Sequence, residues 1–217
     1  ARQKPQLGKL KKLSATRQPG YKSEALICLH CSQLSELQCE SLETTIKDVL
    51  RHVVAAVKDF SSMCKKAEVI RQSLIDSSLS LPVSQAEVKE SVHFIGWLLD
   101  NHFTFLGYEE YKVKTPKSGP VVELQQNTRL GISKFKSGLK ARAKLASFPK
   151  GMSEQILKKQ ICGFAKSATR SKVHRPAYYD YVLIKEFDEK GKVAIEHRFV
   201  GLYTSTVYFR EALDIPL

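Results

Sequence analysis

The chain has 217 residues, 42% of them hydrophobic and 26% charged, with a formal net charge of +13. That is enough for one large domain or two small ones with packed cores, and no apolar run is long enough to span a bilayer. The basic start, ARQKPQLGKLKKL, has no apolar stretch behind it and does not read as a secretory signal, and five irregularly spaced cysteines fit reduced thiols in a cytoplasm better than a secreted disulfide framework.

The charge is concentrated. Residues 1–20 carry six Lys or Arg and no acid, and residues 134–175 carry twelve against one Glu. Such runs can form an anion site for a nucleotide, a phosphate, a carboxylate metabolite or a nucleic acid. The plainer alternative, a solvated face or a surface docked on an acidic subunit, is favoured because charge runs are ordinarily solvated. The eight tyrosines lie in apolar strand context and do not interleave with the bases as stacking platforms would, which weighs against nucleic acid.

Residues 1–22, with Gly8, Pro19 and Gly20, predict a poorly ordered lead. EALICLHC, residues 24–31, has the length of a strand. Leu42, Ile46, Val49, Leu50, Val53, Val57, Phe60 and Met63 recur at helical steps, and the stripe continues through Ala67, Ile70 and Leu74. One long helix or two stacked ones, broken at Ser61 and Ser62, would fill residues 40–77. After a linker at 77–82, Ser84 and Glu87 form a capping box for a helix ending near Asn101. Alternating Phe103, Phe105, Tyr111 and Val113 then predict a strand, TPKSGP a turn, and residues 121–133 one or two further strands. Residues 134–160 read as a helix or flexible loop followed by a short helix from Ser153. Strands are expected at 161–167, 179–187 and 192–203, the last two joined by a turn at 188–191, with a final helix capped by Ser205. Helices segregated from an antiparallel sheet make the class α+β. No glycine-rich loop follows a strand, so no Rossmann dinucleotide site is expected.

Three groups invite chemistry. Cys28, His30, Cys31 and Cys39 suggest zinc only weakly, since no second ligand pair follows. His93 and His102 read as packing or helix-end residues. The best cluster is Lys166, Arg170, Ser171, His174, Arg175, Tyr179 and Asp180. Arginine offers a fork for a carboxylate or phosphate, Lys166 a point charge and Ser171 a hydroxyl; Asp180 would receive an amino group. Against this stands a structural network in which Asp180 neutralises Arg175, which is favoured because ion pairs are common away from function. Glu196 and Arg198 share a strand face and read as structural partners of Lys185 or Glu186. No nucleophile elbow, HExxH, P-loop or supported carboxylate pair is present.

Two tracts, ESVHFIGWLLDNHFTFLGYEEY at 90–111 and KSATRSKVHRPAYYDYVLIKEFDEKGKVAIEHRFVGLY at 166–203, resemble the N-terminal region of the large bacterial NAD-specific glutamate dehydrogenases. Weaker agreement runs through ETTIKDVLRHVVAAVKDFSSM. The resemblance implies a cytoplasmic homo-oligomeric enzyme that oxidises glutamate to 2-oxoglutarate and ammonia with NAD, of which this chain is a non-catalytic regulatory or assembly fragment. It implies no cofactor in the fragment itself, with NAD bound elsewhere in the full-length enzyme. The expected partners are the rest of that chain, other subunits and a small-metabolite effector near Arg175. It also implies residues 1–80 as an incomplete ACT-like remnant with connecting helices, since the acidic segment typical of the first ACT-like module is missing. Residues 81–217 would then be an antiparallel PAS-like or ACT-like module.

Overall fold

The computed structural model describes residues 27–28, 30–136, 141–147 and 150–204. Two compact units are distinguished, residues 1–41 and 42–217. In the first, the described residues of the expected strand at 24–31, namely Ile27, Cys28, His30 and Cys31, are exposed and form no strand. The helix expected from 40 starts earlier. Ser35 and Gln38 form a reciprocal capping box, the Gln38 N–H donating to Ser35 Oγ (3.3 Å) and the Ser35 N–H to Gln38 Oε1 (2.9 Å). Helix α1 then runs unbroken over Glu36–Asp76, so Ser61 and Ser62 do not interrupt it.

The larger unit is built on a seven-stranded antiparallel sheet. Its strands are β1 (Phe103–Lys114), β2 (Val121–Leu124), β3 (Leu130–Gly131), β4 (Arg142–Lys144), β5 (Cys162–Arg170), β6 (Tyr178–Phe187) and β7 (Val193–Tyr203). The order is β4-β2-β1-β7-β6-β5, with β3 paired to β1. With α1 and the helix at Gln85–Trp97 ahead of an antiparallel sheet and only the short helix at Lys150–Leu157 within it, the unit is α+β, as the sequence predicts.

Strand alternation divides the apolar side chains between two faces. On one face Phe105, Tyr108, Val182, Ile184 and Phe199 pack against helix α2 (Gln85–Trp97) and against Met63, Ala67, Ile70 and Leu74 of α1. Those four α1 residues step by four, three and four, which puts them on one stripe. A second cluster joins Ala56 of α1 to Leu106, Ile132, Val173 and Val200. On the opposite face from Tyr108, Tyr111 and Val113 meet Ile156 of helix α3 (Lys150–Leu157). Each fully buried large side chain contributes about 1.5–3 kcal/mol.

A bulge between Phe105 and Gly107 in β1 lets one strand serve two clusters, because the extra residue, Leu106, turns away from Phe105 and Tyr108. Ser84 caps α2 as expected, accepting from the Glu87 N–H at 3.1 Å. The other half of that box is not formed. Glu87 instead accepts from the Ile161 N–H at 2.7 Å, tying the start of α2 to the entry of β5. Helix α2 passes into a wide turn at Leu98–His102 that closes with Asn101 at φ 58°. α3 begins at Lys150, ahead of the expected Ser153, and β4 lies where a helix or loop was expected. The helix expected after Ser205 lies outside the described residues.

Candidate functional site

The residues that the sequence marks as a cluster do separate jobs. Lys166 and Asp180 face each other across β5 and β6, with Nζ 2.5 Å from Oδ1. Asp180 is buried, and its second oxygen has no protein partner. Ser171 braces its own loop: its hydroxyl donates to the Val173 carbonyl (2.6 Å) and accepts from the Val173 N–H (3.1 Å). Tyr179 is buried and its hydroxyl accepts from the Lys172 N–H at 3.3 Å. Arg175 donates to the Tyr203 carbonyl at the end of β7 (2.5 Å). His174 is exposed at φ 71°, and Arg170 stacks on Tyr178 at 5.3 Å. Thus Lys166 and Asp180 meet each other, Ser171 and Tyr179 brace one loop, and Arg175 is bonded to the strand end instead of to Asp180.

Lys166 and a set of residues from other elements converge on one cavity. Strands β1, β7 and β6 lie side by side in a register that pairs Glu109 with Arg198, Tyr111 with Glu196 and Leu183 with Arg198. Alternation sends these side chains to the sheet face that carries α3. Sheet, helix and Lys136 enclose a cavity of about 590 Å³ whose walls include Glu109, Glu196, Arg198, Tyr181 and Ile156. That volume is within the usual range for small-ligand sites.

The cavity's charges are paired one acid to one base. Lys136 Nζ donates to Glu109 Oε1 at 2.8 Å, and Arg198 Nε donates to Glu196 Oε1 at 2.6 Å. The Arg198 guanidinium also lies 4.0 Å from the centre of the Tyr111 ring, and Lys136 Nζ 5.0 Å from that of Tyr181. Glu109 and Glu196 are 1% and 0% exposed, and the Tyr111 hydroxyl is a further hydrogen-bond partner of Glu109. Burial, and after it the negative charge of Glu109, pushes the Tyr111 hydroxyl well above its ordinary range, so Tyr111 stays a neutral donor.

The helix over the cavity is fixed from beneath. Lys185, fully buried on β6, donates to the carbonyls of Gln155 (2.5 Å) and Lys158 (3.1 Å), which closes the C-terminal end of α3. Burial pulls its ammonium below the ordinary lysine value, and Glu196 opposite it in register acts the other way. The Ser153 hydroxyl donates to the Leu145 carbonyl at 2.8 Å. Glu196 and Arg198 do pair, but along their own strand and in the wall of a cavity.

The sequence reading passed over Glu109, Lys136 and this role of Glu196. The available signal was a carboxylate at inward positions of two neighbouring strands, where an apolar side chain is the norm. Among the described residues no group of three or more His, Cys, Asp or Glu is placed to hold a metal ion, and no helix is long and apolar enough to cross a membrane.

No protein-family model matches the chain. Two curated relatives match most of it. The NAD-specific glutamate dehydrogenase of Pseudomonas aeruginosa is 39% identical over 188 residues, 86% of this chain and 11% of the relative. That of Halomonas elongata is 33% identical over 196 residues, 89% of this chain and 12% of the relative. The chain therefore spans only about an eighth or less of the length of the relatives it matches. Along most of its own length, it is a homologue of one segment of the NAD-specific glutamate dehydrogenases.

Proposed function

We propose that this chain is a non-catalytic regulatory region of an NAD-dependent glutamate dehydrogenase, and that its sheet unit holds a small metabolite in the cavity under α3. The observation that carries the reading is the cavity itself, whose walls hold two buried carboxylates, each paired with a base, beside the apolar side chains of Ile156 and Leu183. In the whole enzyme, NAD and the oxidation of glutamate belong to other parts of the chain. Regulation follows if the metabolite prefers one state of the enzyme over another; binding alone is not sufficient.

Two measurements on the purified chain test this. Incubation with glutamate and NAD is expected to give no reduced cofactor; turnover would refute the non-catalytic assignment. Thermal unfolding in the presence of single amino acids, 2-oxo acids and dicarboxylates is expected to show a saturable rise in Tm for at least one of them. A flat response across the whole panel would refute the ligand site.

One further observation favours a contact role alongside. Leu50, Val54 and Val57 form an exposed stripe on α1, with Val57 73% accessible. The rest of the dehydrogenase chain is its fitting partner, since the relatives are many times longer than this segment. Val57→Glu in the full-length enzyme is expected to loosen assembly in size-exclusion chromatography while sparing ligand binding by this region. Unchanged assembly would remove the contact role.

A further inference from the structure

We infer that a second, smaller cavity binds a phosphoryl dianion, either inorganic phosphate or the phosphoryl group of a small monoester; the inference does not depend on what the cavity under α3 holds. The two cavities share Lys136 and Tyr181. The smaller one has a volume of about 230 Å³, below the usual range for a site that encloses a whole small ligand. Its walls bring bases together from three places in the chain. Lys136 follows the helical turn at Ile132–Phe135, Arg170 ends β5, and Lys172 lies in the loop after it. Among the described residues no Asp or Glu lines it.

The nearest acids do not cancel these bases. Glu109 takes Lys136, while Asp48 is shared between Lys172 at 2.7 Å and Arg51 at 2.8 Å. Arg51 lies 4.5 Å from the centre of the Phe135 ring, itself part of the cavity wall. Arg170 stacks on Tyr178, and among the described residues no carboxylate pairs with it. Arg51, Lys136, Arg170 and Lys172 thus stand against Asp48 and Glu109, and the flanking pairs Lys134–Asp59 and Lys166–Asp180 are each one base to one acid. A phosphoryl group, with a charge of about −1.5 to −2 near neutrality, matches that excess, and a monocarboxylate would offset only half of it. The donors are also accessible. The Lys136 and Lys172 side chains are 27% and 55% exposed, and each ammonium has donors beyond the one its acid takes. β5 loses register with β6 between Lys166 and Arg170, and there the Ser167 hydroxyl accepts from the Thr169 N–H at 2.9 Å, which leaves its own proton to donate. Donors from separate elements suit the several oxygens of a phosphoryl group better than the single plane of a carboxylate. Ile132, Phe135 and Val200 supply an apolar wall for the organic part of a monoester.

The test is calorimetric titration of the chain, in phosphate-free buffer, with inorganic phosphate, methyl phosphate, phenyl phosphate and succinate. Saturable binding of at least one of the three phosphates is expected, with succinate at least about tenfold weaker. Tighter binding of phenyl phosphate than of inorganic phosphate would assign the site to a monoester, and the reverse order to the free ion. Arg170→Gln and Lys172→Gln, both at exposed positions, are each expected to weaken binding by about tenfold or more. Lys117→Gln, in the exposed turn between β1 and β2, is expected to leave it unchanged. No saturable binding of any phosphate, succinate binding as tightly, or an equal effect of all three substitutions would overturn the inference. Arg170 and Lys172 are not in the walls of the cavity under α3, so failure here leaves that site standing.

Discussion

Gly131 shows how much can rest on a missing side chain. It sits at φ 57°, a conformation that L side chains rarely adopt, and a Cβ there would lie 2.1 Å from the Leu106 carbonyl oxygen. That carbonyl belongs to the bulge of β1, so space and backbone fail together. Gly131→Ala is expected to cost more than about 3 kcal/mol, read as a collapse of the urea midpoint; a midpoint within experimental error of wild type would show the loop to be soft. Its N–H donates to Asp59 Oδ2 on α1 at 2.7 Å, where Lys134 Nζ also binds at 2.5 Å. Burial works against the charge of Asp59, but these two donors together hold its carboxyl below the ordinary 3.8. The sign follows from linkage: a carboxyl lowered in the fold stabilises above its unfolded value, and that stabilisation is lost as pH falls through the folded value. Glu186 behaves likewise, its hydrogen bond from His197 holding it below 4.5 against burial. Urea midpoints are therefore expected to be flat near neutrality and to fall below about pH 4.5, with a shallower fall in Asp59→Asn. Equal acid sensitivity in that variant would contradict the role given to Asp59.

At the scale of elements, α3 is the piece whose mobility matters most, because it roofs the cavity and its last carbonyls hang on Lys185. Lys185→Met removes two charge-assisted bonds, each kind worth about 1.5–3 kcal/mol, and also the penalty of burying an ammonium. That penalty is fully present below the depressed folded value and is relieved as pH rises toward the ordinary 10.5. The net expectation is a small change in global stability with much faster amide exchange in residues 150–157; unchanged exchange there would mean that Ile156 alone seats the helix. Elements with strong local signals were the legible ones. The stripe of Met63, Ala67, Ile70 and Leu74 gave α1, and the Asp188–Gly191 turn between alternating runs gave the β6–β7 hairpin. β4 was not legible, because three residues of Arg, Ala and Lys carry no periodic signal and owe their strand to pairing with β2. The second half of the Ser84–Glu87 box was missed for a similar reason: Glu87 is drawn to Ile161, 74 positions away.

At the scale of the molecule, the basic balance is less free than +13 suggests. Within the densest basic stretch, Lys134, Lys136, Arg142, Lys166 and Lys172 each pair with an acid on another element. In three of these pairs the acid, Asp59, Glu109 or Asp180, is buried, and all five use up charge that a nucleic-acid surface would need free. The candidate site shows where single-sequence reading stops. Of the residues close in sequence, Lys166 lines the cavity, while Ser171 braces its own loop. Glu109, Lys136, Glu196 and Arg198 become neighbours only through strand register and the fold-back of a loop.

Hydrogen–deuterium exchange of the chain, with and without a pool of amino acids, 2-oxo acids and dicarboxylates, tests the central claim most directly. The account predicts slowed exchange in α3 and in the strand segments around Glu109–Tyr111 and Glu196–Arg198, with little change elsewhere. Identical exchange in those segments, or protection confined to the Arg175 loop at residues 171–177, would contradict it.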